Sequence, residues 1–195
     1  MHSSLITYIA NIDQIVHKYI QNHLLITMGN ENLWENWLNF LLLCITYLGN
    51  PSSIIYLSIA IMLLLWILKR PFAVICFATA IAISGAAIFV IKEILQRVRP
   101  EGLIGEAGYS FPSGHALIAA VFFPLCIYLF KKYVRKGWAR NLFVISMAAL
   151  ALLIGFTRIY FGVHYISDVF GGFIIGGLIS AVTILIMEAE RRKGL

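Results

Sequence analysis

From Phe72 to Ile91 the chain reads FAVICFATAIAISGAAIFVI, twenty consecutive residues without a charge, with only the hydroxyls of Thr79 and Ser84 as polar side-chain groups. A helix rises about 1.5 Å per residue, so such a run covers about 30 Å, the thickness of a bilayer's hydrocarbon core. The run has no period-two alternation, which argues against a barrel strand. It is read as a membrane-spanning α-helix. Working outward, four further apolar spans can be drawn: Pro51 to Leu68, His115 to Phe130, Leu142 to Phe156 and Val169 to Met187. Several fall short of the ~20 residues a span needs, and flanking residues must extend them. The composition agrees: 61% hydrophobic, 12% charged, mean hydropathy +0.87. These values belong to polytopic membrane proteins rather than soluble domains.

The N-terminal part differs. Leu5, Tyr8, Ile9, Ile12, Ile15, Val16, Tyr19 and Ile20 recur at helical spacing, with Asn11, Asp13, Gln14, Lys18 and Gln21 between them. This pattern predicts an amphipathic helix lying in the membrane interface, broken at Gly29-Asn30. Trp34 to Leu48 is apolar but short and begins with two tryptophans. It is read as an interfacial or re-entrant helix leading through Gly49-Asn50-Pro51 into the first span, the alternative being a short sixth span. The expected fold is therefore an all-α polytopic helical bundle of five to six transmembrane helices. Residues 1–49 form its amphipathic, interfacial segment and residues 50–195 its transmembrane domain. The first residues lack the basic start and small-residue cleavage site of a signal peptide. Cys44, Cys76 and Cys126, odd in number and without CxxC spacing, are expected to be small core residues rather than disulfide or zinc partners.

Charge is distributed by topology. With five spans, Lys69, Arg70, Lys131, Lys132, Arg135, Lys136, Arg140, Arg191, Arg192 and Lys193 fall on one side. Only Lys92, Arg97, Arg99 and Arg158 fall on the other. The positive-inside rule puts the C-terminus in the cytoplasm and the sparse set outside. The net charge of +6 is thereby accounted for, and no nucleic-acid-binding motif accompanies it.

Three polar clusters then share the outer face. The first is Lys92 with Arg99-Pro100; seven residues is two helical turns, so both cations face one side if the helix continues to Pro100. Arginine suits bidentate contact with phosphate oxygens, whereas a lone lysine at a span end commonly snorkels to the interface. Arg97 is not assigned to the site. The second cluster is Pro112-Ser113-Gly114-His115, where a helix start would aim backbone N–H groups at an anion, with Gly114 admitting close approach and the Ser113 hydroxyl adding a donor. An ordinary N-cap is the alternative. The third is Thr157-Arg158 followed by His164 and Asp168, whose helical spacing puts imidazole and carboxylate one turn apart. Such a carboxylate fixes the tautomer and leaves the other ring nitrogen free as a nucleophile; a core histidine beside a capping aspartate is the plainer reading.

Lys-x6-Arg-Pro, Pro-Ser-Gly-His and Arg-x5-His-x3-Asp, in this order, resemble the type 2 phosphatidic acid phosphatase superfamily, which includes bacterial phosphatidylglycerophosphatase B and undecaprenyl-diphosphate phosphatases. The resemblance covers about Pro51 to Met187, departing where Thr157 stands for the usual serine. It implies an integral membrane phosphatase of the cytoplasmic membrane acting on a lipid phosphate or diphosphate: phosphatidylglycerol phosphate, undecaprenyl diphosphate or phosphatidate. It implies that His164 is the nucleophile, forming a phosphohistidine, that Asp168 orients it, and that His115 is the acid and then the base. Lys92, Arg99, Ser113, Gly114 and Arg158 would hold the phosphate. No metal or cofactor is implied, although Glu101 and Glu106 are a conceivable metal pair. A phosphotransferase using the same site, or a non-enzymatic membrane protein that binds an anion, are the rival readings. Gly171, Gly172, Gly176 and Gly177 give small-xxx-small spacing in the last span, Gly85-Ala86-Ala87 offers another close contact, and Pro124 is expected to kink the third span.

Overall fold

The computed structural model describes residues 2–23, 33–101, 106–131 and 133–193. The break expected at Gly29-Asn30, and Lys132, lie outside the described residues. Every regular element among those described is helical: α1 (His2–His23), α2 (Leu33–Leu48), α3 (Pro51–Ile67), α4 (Pro71–Leu95), α5 (Gly114–Phe130), α6 (Trp138–Tyr160) and α7 (Ile166–Lys193). All five expected apolar runs are helical, as α3 to α7. The helices α4, α6 and α7 are each long and apolar enough to cross a membrane. Residues 37–48 of α2 pass the same test only together with α3, from which α2 is bent by 55°. That is the re-entrant or broken-span geometry expected at Gly49-Asn50-Pro51, not an independent sixth span. Asn50 caps α3 by accepting the Ser52 N–H at 3.2 Å, and Pro51 occupies the first turn, where no N–H is needed. A Cβ at Gly49 would press into the Ile154 side chain, so glycine lets this corner close on α6.

Helix α5 runs through the centre. Its positions 116–123, with Leu125, Cys126 and Leu129, are buried, and α3, α4, α6 and α7 pack around it. At 17 residues it is short for a span, but its neighbours are helices rather than lipid. Pro124 sits inside it without interrupting it. The outer helices present Ile75, Ile83, Phe89, Phe156, Ile174, Leu178 and Leu185 outward, as a bilayer solvent requires. Cys76 and Cys126 are buried as expected, but Cys44 is exposed.

The glycines of α7 divide by what they face. A Cβ on Gly172 would lie 2.7 Å from the Ser113 carbonyl oxygen, and one on Gly176 would lie 2.8 Å from the Ala120 Cβ. Gly171 meets the Phe111 ring, while Gly177 faces open space. Close approach of α5 and α7 therefore rests on Gly172 and Gly176 against Ala116 and Ala120. The contact expected at Gly85 does not form: Gly85 has nothing within 4 Å of a Cβ position, and Ala86 beside it is exposed. Gly176→Ala should cost about 2 kcal/mol by forcing the helices apart, whereas Gly177→Ala should be neutral or slightly stabilising. Thermal unfolding of the two variants in detergent checks this; equal midpoints would contradict it.

Helix α1 packs on α6 and α7. Its buried stripe is Asp13 and Ile20, with Val16, His17 and Gln21 half-buried, while Ile6, Ile9, Ile15 and Tyr19 point outward. The helix is amphipathic as expected, but Asp13 on its polar side faces the bundle, while Asn11, Gln14 and Lys18 stay exposed.

Candidate active site

Three chain reversals at one end of the bundle bring the polar residues together. Helix α4 stops at Leu95 because Gln96 takes a left-handed conformation (φ 44°), its N–H bonded to the Lys92 carbonyl at 2.9 Å. Arg97, Val98, Arg99 and Pro100 follow outside any helix. Lys92 and Arg99 thus converge through a turn, not through two continued helical turns, and Pro100 is not what ends the helix. Helix α6 ends in a Schellman motif: Gly162 (φ 68°) donates to Ile159, and Val163 donates to the Arg158 carbonyl at 3.1 Å. His164 therefore lies in the loop after α6, and Asp168 in the first turn of α7. The helical spacing expected between them is replaced by a turn that achieves the same juxtaposition. The third reversal, with a cis Phe111–Pro112 bond, leads into α5, whose N-cap Ser113 donates its N–H to the Asp168 carbonyl at 3.0 Å.

His164 is 2% exposed. Its Nδ1 lies 3.6 Å from Asp168 Oδ2 and 3.4 Å from Ser110 Oγ; its Nε2 lies 3.1 Å from Arg99 Nη1. A guanidinium can only donate, so Nε2 carries the lone pair and Nδ1 the proton. Burial holds the imidazole's pKa down at about 4 against the opposing pull of Asp168, so the ring is neutral at physiological pH. Asp168 also accepts from Ser110 Oγ, from the Tyr165 N–H at 2.8 Å and from Arg97 Nη1 at 2.6 Å. It is at once a capping aspartate and a neighbour of the imidazole's Nδ1.

Arg99 meets Nε2, and Arg158 is close enough to act on the ring electrostatically. Arg99 reaches the carbonyls of Gly108 and Val163, Lys92 Nζ donates to the Tyr109 carbonyl at 2.7 Å, and Arg158 Nη1 donates to Thr46 Oγ1 at 2.7 Å. Glu106 bridges Arg158 and Arg99, the latter at 3.1 Å. Burial opposes ionisation of Glu106, but Arg158 and then Arg99 outweigh it and hold its pKa below the usual carboxylate range. With its carboxylate engaged in this way, Glu106 is committed to arginines rather than to a metal. Two buried donors at the site have no partner among the described residues: Ser113 Oγ, which makes no capping bond, and Arg158 Nε. A buried unpaired donor is costly unless a ligand satisfies it. His115 lines a cavity of about 160 Å3 with Glu106, Arg158, Thr46 and Asn50. Gly114 adjoins it at the start of α5; a Cβ there would make only ordinary contact with Ile88, so packing alone does not demand glycine.

Thr157 is buried and returns its hydroxyl to the Ile154 carbonyl at 2.7 Å, so it serves its own helix. Sequence reasoning missed Ser110, Thr46, Arg97 and Asp13. Ser110 stands two residues before Pro112, and Asp13 is the only acidic residue of α1. Their partners lie 58 and 84 residues away in the chain, beyond the reach of any local pattern.

Comparison with known proteins matches this arrangement. The PAP2 superfamily model aligns with residues 73–192. Phosphatidylglycerophosphatase B of Bacillus subtilis (strain 168) is 32% identical over 148 residues, 74% of this chain and 73% of that protein. An undecaprenyl-diphosphatase of Sulfolobus acidocaldarius is 31% identical over 140 residues, 67% of this chain and 64% of the relative. The crystal structure of a transmembrane PAP2-type phosphatidylglycerolphosphate phosphatase from Bacillus subtilis superposes with a TM-score of 0.78 at 26% identity, covering 96% of both chains. The helical fold thus recurs in a known structure, and the chain belongs to the PAP2 superfamily.

Proposed function

We propose that the protein is a membrane lipid phosphatase hydrolysing a lipid phosphomonoester or diphosphate through a phosphohistidine. The observation that carries this reading is the His164 ring: neutral, buried, with its Nε2 lone pair facing Arg99, Arg158 near enough to act on it, and its Nδ1–H turned to Asp168. Nε2 attacks phosphorus as the bond to the leaving oxygen breaks, and His115 protonates that oxygen. Water then attacks phosphorus, the N–P bond breaks, and His115 takes the water's proton, releasing phosphate and restoring both rings. Lys92, Arg99 and Arg158, with Ser113 Oγ and the Gly114 N–H, hold the equatorial oxygens, where phosphoryl transfer concentrates charge. The incoming phosphate takes over donors that Glu106 holds.

The names of the relatives support phosphatidylglycerol phosphate and undecaprenyl diphosphate as leading substrates, followed by phosphatidate. The site lies outside the cytoplasmic membrane: α4, α5 and α7 each have one end at the site, and the opposite ends carry Arg70, Lys131 and Arg191 around a shared cavity. Residues 50–195 carry the reacting groups, while 1–49 supply wall and clamp. Phosphate release from these three lipids by purified protein in detergent tests the reading. Release should persist in excess EDTA, because fixed cations supply the charge; complete loss restored by magnesium would overturn the metal-free scheme. Labelled phosphate recovered on an acceptor lipid would mark a transferase, and binding of vanadate without turnover a non-enzymatic anion site.

A further inference from the structure

The polar face of α1 ends in the active site. Asp13 is 1% exposed and accepts three bonds: from Arg97 Nη2 at 2.5 Å, the Ser167 N–H at 3.1 Å and Ser167 Oγ at 2.6 Å. The other terminal nitrogen of Arg97, Nη1, donates to Asp168 Oδ1 and to Ser167 Oγ, each at 2.6 Å. The same guanidinium carbon lies 4.5 Å from the centre of the Tyr165 ring, and the Tyr165 N–H bonds Asp168 Oδ2. Gln14 Nε2 reaches the Tyr165 hydroxyl at 3.3 Å, the His17 ring meets the Tyr165 ring edge-on, and Gln21 donates to the Glu101 carbonyl. Arg97 therefore bridges two buried carboxylates, one on α1 and one beside His164. Both its terminal nitrogens donate within this cluster, so its charge is matched by two carboxylates.

We propose that Asp13 and Arg97 are positioning residues, a relay that holds Asp168 and through it the ring of His164. Helix α1 is then a working part of the enzyme as well as an anchor. A buried carboxylate whose two oxygens are both bonded is held in one orientation. Asp168 Oδ2 is held by Ser110 Oγ and the Tyr165 N–H, and Oδ1 by Arg97, its charged partner, so loss of Arg97 leaves Oδ1 unpaired and loosens the carboxylate against Nδ1. Asp13 fixes the far side of the guanidinium, and it reaches it only when α1 is seated. The outward face of α1, with Ile6, Ile9, Ile15 and Tyr19, is the face a headgroup–acyl boundary would take up. Seating of α1 at the lipid surface and alignment of His164 are thereby linked. The inference rests on the phosphohistidine reading for its catalytic meaning, but its geometry can be tested without turnover.

The test compares Asp13→Asn, Arg97→Gln and the double variant on whichever of the three lipids the unsubstituted protein hydrolyses fastest. Outer partners that orient a reacting group typically contribute 10- to 100-fold, so kcat should fall about 10-fold in Asp13→Asn and about 100-fold in Arg97→Gln. KM should stay within about threefold, because the phosphate-holding cations are untouched. The double variant should be no worse than Arg97→Gln, since Asp13 acts only through it. In parallel, nitrogen-15 NMR of histidine-labelled protein should show one His164 tautomer, protonated at Nδ1, and a mixture in Arg97→Gln. Unchanged kcat, multiplicative losses in the double variant, or a KM effect would overturn the relay, and so would a single retained tautomer. Conservative Arg97→Lys, which keeps the charge, should recover part of the loss and guards against misfolding. Failure of the unsubstituted protein to release phosphate from any lipid would count against the function instead, with the tautomer measurement still deciding the relay.

Discussion

His164→Ala should lower kcat by at least about 10,000-fold, because it removes the phosphoryl acceptor of the proposed scheme. The fold should survive. The imidazole bonds only Arg99, Ser110 and Asp168, and each of these keeps other partners: Arg99 the Val163 carbonyl, Ser110 and Asp168 one another. Asp168, held by Arg97, Ser110 and the Tyr165 N–H, stays satisfied without the histidine. Phosphate release and gel filtration of the purified variant check both halves; substantial turnover in well-folded protein would sink the mechanism. The pH dependence gives a second arm. A nucleophile of ordinary pKa, near 6.5, would be mostly protonated at pH 5.5. Burial holds His164 at about 4, so its lone pair remains free there and is lost only as the pH falls toward that value. An NMR titration of His164 should therefore show a neutral ring at pH 5.5; a midpoint near 6.5 would refute the desolvated site.

The helices were legible because a bilayer imposes a simple rule on sequence. Phe72 to Ile91 had to be helical, and α4 extends that run by Pro71 at one end and to Leu95 at the other. The turns were less legible. Gln96 is not a residue type that advertises a left-handed cap, so a helix continued to Pro100 was the natural reading, and only Gly162 carried a usable signal. The candidate residues inside compact motifs stood out because phosphate chemistry needs cations, a donor and an imidazole, and the fold brings them to one end of the bundle. Asp13, Ser110 and Thr46 were not found, because each does its work on a residue far along the chain. Asp13 shows the reason most clearly. In sequence it is one charge on the polar side of an amphipathic helix, and the usual inference sends that side to water. Only the docking of α1 against α6 and α7 turns it inward.

Arg158→Lys should be nearly as damaging as loss of the side chain, with kcat/KM down about 1,000-fold, or about 4 kcal/mol of transition-state stabilisation. The guanidinium does three jobs at once. Nη1 anchors to Thr46 on α2, Nη2 meets Glu106, and Nε is buried with no partner. A lysine ammonium is one point on a flexible stem, so anchoring to Thr46 would take it from the phosphate, and reaching the phosphate would leave Thr46 unpaired. Because negative charge on the equatorial oxygens is best matched in the transition state, the loss should appear mainly in kcat. Inhibition by vanadate, which adopts the five-coordinate geometry, should weaken far more than inhibition by inorganic phosphate. Thr46→Val separates anchoring from charge: it keeps the guanidinium, removes its tether, and should cost only about 10-fold. If Arg158→Lys retained a tenth of the activity, the planar fork would be dispensable and charge alone would suffice. If Thr46→Val matched Arg158→Lys, the principal requirement would instead be the tether that α2 provides.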